Sequence, residues 1–351
     1  MKRIVVSAPG KLHLLGEHAV VWGKPAIIVA ANKRCFIEIT PRKDQKIKII
    51  SKNYKKEIVT SFKDIVIKFQ KAQTEWEVYN KNNDITLLKS ITKNPLDYPL
   101  IIIGEFLSYY QFENIDGFSL TIDSEIPVGS GMGSSAALSV SMVGALSLSI
   151  NKKFDKKEIN KIAFLCEQKK HGLPSGGDNT TSCFGGLIWF KKGKGIKLLD
   201  VALSKKIIKY FYVVNTGIPS ETTGEMVSLV KTLYQKQPKF VEKILNDQEK
   251  LVKNLLAALE KGKHNEIIRI IRSGEHNLES LGVVSSYVQK IIRAIESSGG
   301  AAKINGGGGT KKGTGMLLIY HQDFKSLKKV LNSHQLEVER IILGVEGLRK
   351  E

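Results

Sequence analysis

The chain has 351 residues, enough for two domains with sizeable cores, and its 42% hydrophobic and 25% charged residues exclude a disordered or fibrous polymer. Lysine and arginine total 54 against 34 acidic residues, a formal charge of +20, which raises the question of nucleic acid. The lysines are scattered rather than gathered into one arm, and only 7% of residues are aromatic, so a basic surface serving an anionic small molecule accounts better for the charge. Cys35, Cys166 and Cys183 are odd in number and lack C-x-x-C spacing, which predicts reduced, mostly buried thiols. The N-terminal apolar run is too short for a signal peptide, and the expected location is cytoplasmic.

In chain order, Ile4–Val6 reads as a short buried strand ended by Ala8-Pro9-Gly10. Lys11–Leu15 then alternates, with Leu12 and Leu14 on one face and Lys11 and His13 on the other. A turn-rich segment carrying Glu17 and His18 leads into a strand at Ala26–Ala31, placing Lys11, Glu17 and His18 near one another. Further strands are predicted at Cys35–Thr40, Lys46–Ser51 and Glu57–Thr60. Thr74–Asn94 is polar and carries little pattern, Tyr98–Phe112 predicts a buried helix, and Gly117–Asp123 alternates as a strand.

That strand feeds the stretch around which the chain is organised, Pro127-Val-Gly-Ser-Gly-Met-Gly-Ser-Ser135 followed by an uncharged apolar run to Ile150. The pattern predicts a tight backbone loop opening a buried helix. Glycines let a main chain approach a bulky ligand, and a helix start offers unpaired N–H donors with a partial positive charge, so the loop suits an anion. A membrane span is disfavoured: Pro127 and the glycines interrupt the run, and the remainder contains Ser139, Ser141, Ser147 and Ser149 and falls short of the ~20 apolar residues a span requires. The spacing fits neither a Walker-type loop nor a dinucleotide fingerprint.

Asp155-Lys-Lys-Glu158 starts a helix reaching about Lys170, with Glu167 and His171 four apart and able to face one side. His171 to Gly186 reads as a glycine-punctuated loop holding one carboxylate, Asp178, and Leu187–Lys191 as a strand. Lys191–Gly195 reads as a solvated turn, and a boundary there divides the chain into residues 1–190 and 191–351. Beyond it come a strand at Ile207–Asn215, helices at Ser220–Tyr234, Phe240–Lys261, Asn265–Leu281 and Ser286–Ser298, a strand and glycine loop at Ala301–Gly315, a strand at Met316–Tyr320, a short helix, and a last strand at Val338–Leu343. The predicted class is α+β.

Two glycine loops, a strand-borne lysine, a loop aspartate and a helix glutamate make an inventory for phosphoryl transfer. Hard Mg²⁺ takes oxygen ligands, and the hydroxyl of Ser135 with the carboxylate of Glu167 supplies a pair; read blandly, Glu167 is a solvated helix residue and Ser135 an N-cap. Asp178 is a candidate to accept the proton of an attacking alcohol, with Lys11 keeping it ionised, or is an Asx-turn residue. Glu17 and His18 suit a polar substrate, or His18 caps a turn.

The segments Ser7-Ala-Pro-Gly-Lys-Leu-His-Leu-Leu-Gly-Glu-His-Ala-Val-Val21, Pro127-Val-Gly-Ser-Gly-Met-Gly-Ser-Ser-Ala-Ala137 and Lys303-Ile-Asn-Gly-Gly-Gly-Gly309 resemble the three ordered motifs of the GHMP kinase superfamily, across nearly the whole chain. Gly16-Glu-His-Ala-Val-Val21 together with His171-Gly-Leu-Pro-Ser-Gly-Gly-Asp-Asn179 resembles the mevalonate kinases in particular. The resemblance implies a two-domain α+β fold, with an N-terminal domain like domain 2 of ribosomal protein S5 and a ferredoxin-like C-terminal domain. It also implies ATP and mevalonate as substrates, Mg²⁺ as cofactor, and neither a nucleic-acid nor a membrane partner; a homodimer is compatible with it. In that assignment Gly129, Ser130, Gly131, Met132, Gly133, Ser134 and Ser135 wrap the ATP phosphates, and Ser135 and Glu167 hold the metal. Asp178 takes the proton of the mevalonate 5-hydroxyl beside Lys11, and Glu17, His18 and Thr216 line the mevalonate side. Other members of the superfamily (a mevalonate 3-kinase, a phosphomevalonate kinase or a sugar kinase) and a basic nucleic-acid-binding protein are the alternatives. The third motif departs from the usual mevalonate kinase pattern: Asn305 and Gly307 stand where Thr and Ala are expected, and Thr310-Lys311-Lys312 replaces the continuing glycines. Lys311 or Lys312 there is a candidate source of phosphate-binding charge.

Overall fold

The computed structural model describes residues 2–82, 84–193, 195–199 and 205–351. Met1, Asn83 and Lys194, which fall within the expected N-terminal run, polar segment and turn, lie outside the described residues. Strand β1 (Ile4–Leu15) pairs antiparallel with the long β2 (Pro25–Pro41). The expected break at Ala8–Gly10 is a shift of register within one continuous strand: proline lacks the ladder N–H, and the strand bulges between Pro9 and Gly10 instead of ending. β3 (Lys46–Ser51) and β4 (Lys56–Ser61) form the expected hairpin.

The polar stretch Thr74–Asn94, expected to carry little pattern, falls on the second half of a long helix, α1 (Phe62–Asn82), and on the short helix after it. The start of α1 carries a reciprocal cap in which Ser61 Oγ donates to Asp64 Oδ2 (2.7 Å) and the Asp64 N–H donates back to Ser61 Oγ (3.2 Å). Ile65, Phe69 and Ala72 form its narrow buried stripe. Next come α2 (Ile85–Ile91), the apolar α3 (Asp97–Tyr109), β5 (Phe118–Ser124), α4 (Ser134–Ser149) and α5 (Lys156–His171). α4 is apolar on all sides and lies buried among β1, β2, α3 and α5, the place such a helix must take. Among the described residues no helix is long and apolar enough to cross a membrane.

Asp178 sits in a helix, α6 (Gly177–Phe184), and not in an extended loop. Asn, Thr and Ser are weak helix formers, so the sequence gives little local signal; packing against α4, α5 and β1 forms the helix. Asn179 Nδ2 donates to Asn160 Oδ1 on α5 at 2.7 Å, which ties the two helices. β6 (Leu187–Lys191) and β7 (Gly195–Leu199) extend the first sheet alongside β2. Ile207 belongs to a single helical turn, α7 (Lys205–Ile208), and the strand expected there begins only at β8 (Phe211–Asn215).

The second half holds α8 (Thr223–Lys236), α9 (Pro238–Glu260), α10 (His264–Ser280), α11 (Ser286–Ser297), β9 (Ala301–Ile304), β10 (Met316–Tyr320), α12 (Phe324–Ser333), β11 (Val338–Arg340) and β12 (Arg349–Lys350). The last strand expected to reach Leu343 stops at Arg340. β11, β8, β10 and β9 make an antiparallel sheet in that order, while β12 returns to the edge of β1 in the first sheet. The architecture is α+β, as expected. The three cysteines are free and buried, and burial pushes the thiols of Cys35 and Cys183 up to about 12.

Candidate active site

The three glycine-bearing segments, far apart in sequence, meet at one place. In the loop before α4, Ser130 and Met132 point inward and are buried, while Gly129 and Gly131 are exposed. Ser130 Oγ donates to Pro127 O (2.7 Å), and the Lys11 N–H of β1 donates to Met132 O (2.8 Å). α4 opens on Gly133, at φ 70°, with no side-chain cap. Ser135 is therefore not the N-cap; it stands one residue inside the helix, with its hydroxyl available.

Glycine is required here by space as well as by φ. A Cβ on Gly133 would lie 2.7 Å from Lys11 Cγ, and one on Gly131 would lie 2.5 Å from the backbone oxygen of Asn305. The first and third motifs thus press on the loop from two sides. Gly131→Ala must hold a non-glycine residue at φ 79° against that oxygen; at about 1–3 kcal/mol for such strain, the Michaelis constant for nucleotide should rise about ten-fold or more, as initial rates across a nucleotide titration would read. An unchanged constant would mean that the loop does not hold the nucleotide.

Two side-chain groups flank the head of α4. In the first, Lys11 Nζ is 3.2 Å from Asp178 Oδ2, and His13 Nε2 is 3.9 Å from Asp178 Oδ1. Lys11 is buried and His13 partly so, whereas the Asp178 side chain is 38% exposed in the cleft. Burial pushes the Asp178 carboxyl up, but the Lys11 charge and then His13 outweigh it and hold the group well below the usual carboxylate range. Its place in the first turn of α6 favours the same ionised form.

In the second group, Ser135 Oγ donates to Glu167 Oε2 (3.1 Å) and lies 3.0 Å from His171 Nε2. Tyr98 Oη donates to the other carboxylate oxygen, Glu167 Oε1, at 2.5 Å. Burial, followed by the Glu167 charge, pushes the Tyr98 phenol well above its usual value, so it remains a donor. Glu167 is buried, with Tyr98, Ser135 and His171 around its carboxylate. A carboxylate and a hydroxyl converging beside an uncapped helix start are hard oxygen donors of the kind Mg²⁺ takes.

The other expected residues are anchored behind this cleft. Glu17 is buried and ion-paired with Lys303, whose Nζ also donates to Ile304 O (2.6 Å) and His13 O (3.2 Å). His18 Nε2 donates to Gly307 O at 2.9 Å, and burial lowers its pKa. The Thr216 hydroxyl donates to Gly315 O (2.8 Å) and accepts from the Thr314 N–H (2.9 Å), which pins the segment that leads from the third motif into β10. The departures in that motif have structural roles of their own. Asn305 Oδ1 accepts from the His13 N–H (2.9 Å) and its Nδ2 donates to Gly131 O (3.0 Å), clamping β1 to the glycine loop before α4. Thr310 donates to Glu221, and the Lys311 charge bears on Glu221 and Glu225 of the α8 entry. Tyr98, Asn305 and the His13 imidazole were not legible as site residues; only the shared face of Lys11 and His13 pointed to one of them.

Residues 98–186 match the family model described as GHMP kinases N terminal domain. Mevalonate kinase of Pyrococcus furiosus is 32% identical over 314 residues, covering 88% of this chain and 87% of that protein. The chain belongs to the mevalonate kinase family of GHMP kinases. Among solved structures, the Methanococcus jannaschii mevalonate kinase superposes with a TM-score of 0.79 at 22% identity, covering 97% of this chain and 98% of that one. The L. major mevalonate kinase in complex with R-mevalonate superposes with a TM-score of 0.71 at 22% identity, covering 97% and 96%. These two establish the fold, the two-domain α+β arrangement of GHMP kinases.

Proposed function

We propose that this mevalonate kinase family member transfers the γ-phosphate of ATP to the 5-hydroxyl of mevalonate. The observation that carries the reading is the packing of the Lys11 stem against Gly133, which sets the Lys11–Asp178 pair directly beside the loop suited to a triphosphate. Gly129 to Ser135 cradle the phosphates with backbone N–H groups and the positive end of α4. Asp178 accepts the alcohol proton, and Lys11 keeps Asp178 ionised and stabilises negative charge developing on the transferred group. Glu17, His18 and Thr216 border the mevalonate side, the first two held by the third motif and Thr216 by Gly315 beyond it.

Ser135 and Glu167 are the residues that would hold Mg²⁺, which when bound neutralises charge on the β- and γ-phosphate oxygens. Tyr98 orients Glu167 through Oε1, leaving Oε2 turned to Ser135. Removing such a support typically costs about 10- to 100-fold in metal affinity. Tyr98→Phe is therefore expected to raise the Mg²⁺ concentration needed for half-maximal nucleotide binding by about ten-fold, read by titrating metal against bound fluorescent nucleotide; an unchanged midpoint would remove Glu167 from the metal site.

The reading divides the chain into an ATP-binding domain, residues 1–190, and a second domain, residues 191–351, which lends β7 and β12 to the first sheet. It places the enzyme in the cytoplasm with small-molecule partners. A coupled ADP assay over mevalonate, phosphomevalonate and sugar alcohols, with the phosphorylated position read by phosphorus NMR, tests it. Mevalonate 5-phosphate is the expected product; phosphorylation at the 3-hydroxyl, or turnover of another alcohol alone, would replace the assignment.

A further inference from the structure

His13 is held in place twice through its backbone, by Asn305 Oδ1 at its N–H and by Lys303 Nζ at its carbonyl. The strand therefore does not need the imidazole to keep its position. The ring itself is 12% exposed and lies beside Asp178, with Nε2 3.9 Å from Oδ1. Nδ1 is buried and has no hydrogen-bond partner among the described residues. A neutral ring carries one N–H. Placed on Nδ1, that hydrogen would be a donor stranded in the interior; placed on Nε2, it faces a carboxylate. That surrounding favours the Nε2–H tautomer, an assignment that rests on the hydrogen-bond partners.

We propose that His13 is a positioning residue for phosphoryl transfer: its Nε2–H closes onto Asp178 Oδ1 when the alcohol docks, orienting the carboxylate whose other oxygen faces Lys11. The proposal rests on Asp178 being the base. At 3.9 Å the contact is too long for a hydrogen bond, and catalytic hydrogen bonds often tighten only in the complex. Burial and then Lys11 lower the His13 pKa, against Asp178 and Glu17, so the ring acts as a neutral donor. A second full cation beside Asp178 would depress its basicity further; a neutral donor orients it at less cost to proton transfer.

The test is a steady-state comparison of the full chain with His13→Leu, His13→Asn and His13→Gln, with mevalonate and ATP varied and thermal unfolding recorded for each. Leu fills the space without a donor, Asn keeps polarity but its amide stops short, and the Gln Nε2 reaches the place of the imidazole Nε2. A misplacement of about 1 Å near the chemistry can cost on the order of 10²-fold. The expected result is a kcat about 10- to 100-fold lower for Leu and Asn, with both Michaelis constants within about two-fold, and most of kcat restored in Gln. If Leu does not fold, the contrast between Asn and Gln decides. Equal kcat for Asn and Gln, or a loss carried in the Michaelis constants instead of kcat, would overturn the proposal while leaving mevalonate phosphorylation intact. Absence of ADP formation in the unaltered chain would defeat the underlying function instead.

Discussion

Asp178→Asn is expected to lower kcat for ADP formation by about 10²- to 10⁴-fold while nucleotide affinity changes little. The carboxylate faces Lys11 at the head of the cleft, with a neutral imidazole on its other side. The amide keeps the size and one acceptor oxygen but takes up no proton, so the loss is that of general-base catalysis, which typically contributes that range. Binding of nucleotide should persist because the loop from Gly129 to Ser135 is held by Lys11 N–H, Asn305 and Met316, none of which depends on the carboxylate. Turnover measured beside nucleotide titration separates the two. Near-normal turnover in the variant would show that proton removal does not pass through Asp178.

Lys303→Met addresses stability. Lys303 and Glu17 are an ion pair with both side chains essentially inaccessible to solvent, and Glu17 Oε2 has no hydrogen-bond partner of its own among the described residues. Removing one member of a buried pair leaves an uncompensated charge and typically costs about 3–5 kcal/mol. The nearby Glu275 adds to the dependence: burial pushes its carboxyl well above the usual range, with Lys303 opposing, while its Oε2 accepts the Ile304 N–H at 3.0 Å. Urea unfolding of Lys303→Met should show a loss of about 3–5 kcal/mol, and Glu17→Gln in the same chain should restore much of it, since the stranded charge is then gone. A single-variant loss under about 1 kcal/mol would mean that water or another cation compensates Glu17.

The chemistry was more legible in the sequence than the chain path. Glycines at 129, 131 and 133 stand where positive φ and close packing require them, so the loop and its buried helix could be read directly. Glu167 and His171 face Ser135 together because four residues make one helical turn. Asp178 was found without its helix: the residues of α6 have weak intrinsic helicity, and long-range packing supplies what propensity does not. α1 was missed because its buried stripe is narrow and set among many polar residues, although the Ser61–Asp64 cap marked its start. The contacts of Asn305 with His13 and Gly131 join residues separated by most of the chain, and no local pattern encodes them.

The central claim is that phosphoryl transfer takes place between the Ser135–Glu167 group and the Lys11–Asp178 pair. A crystal structure of the chain with mevalonate, Mg²⁺ and a non-hydrolysable ATP analogue measures it directly. The mevalonate 5-oxygen is expected within about 2.6–3.2 Å of an Asp178 carboxylate oxygen and about 3–3.5 Å from the γ-phosphorus. A terminal phosphate bound elsewhere, or a 5-hydroxyl turned away from Asp178, would contradict it.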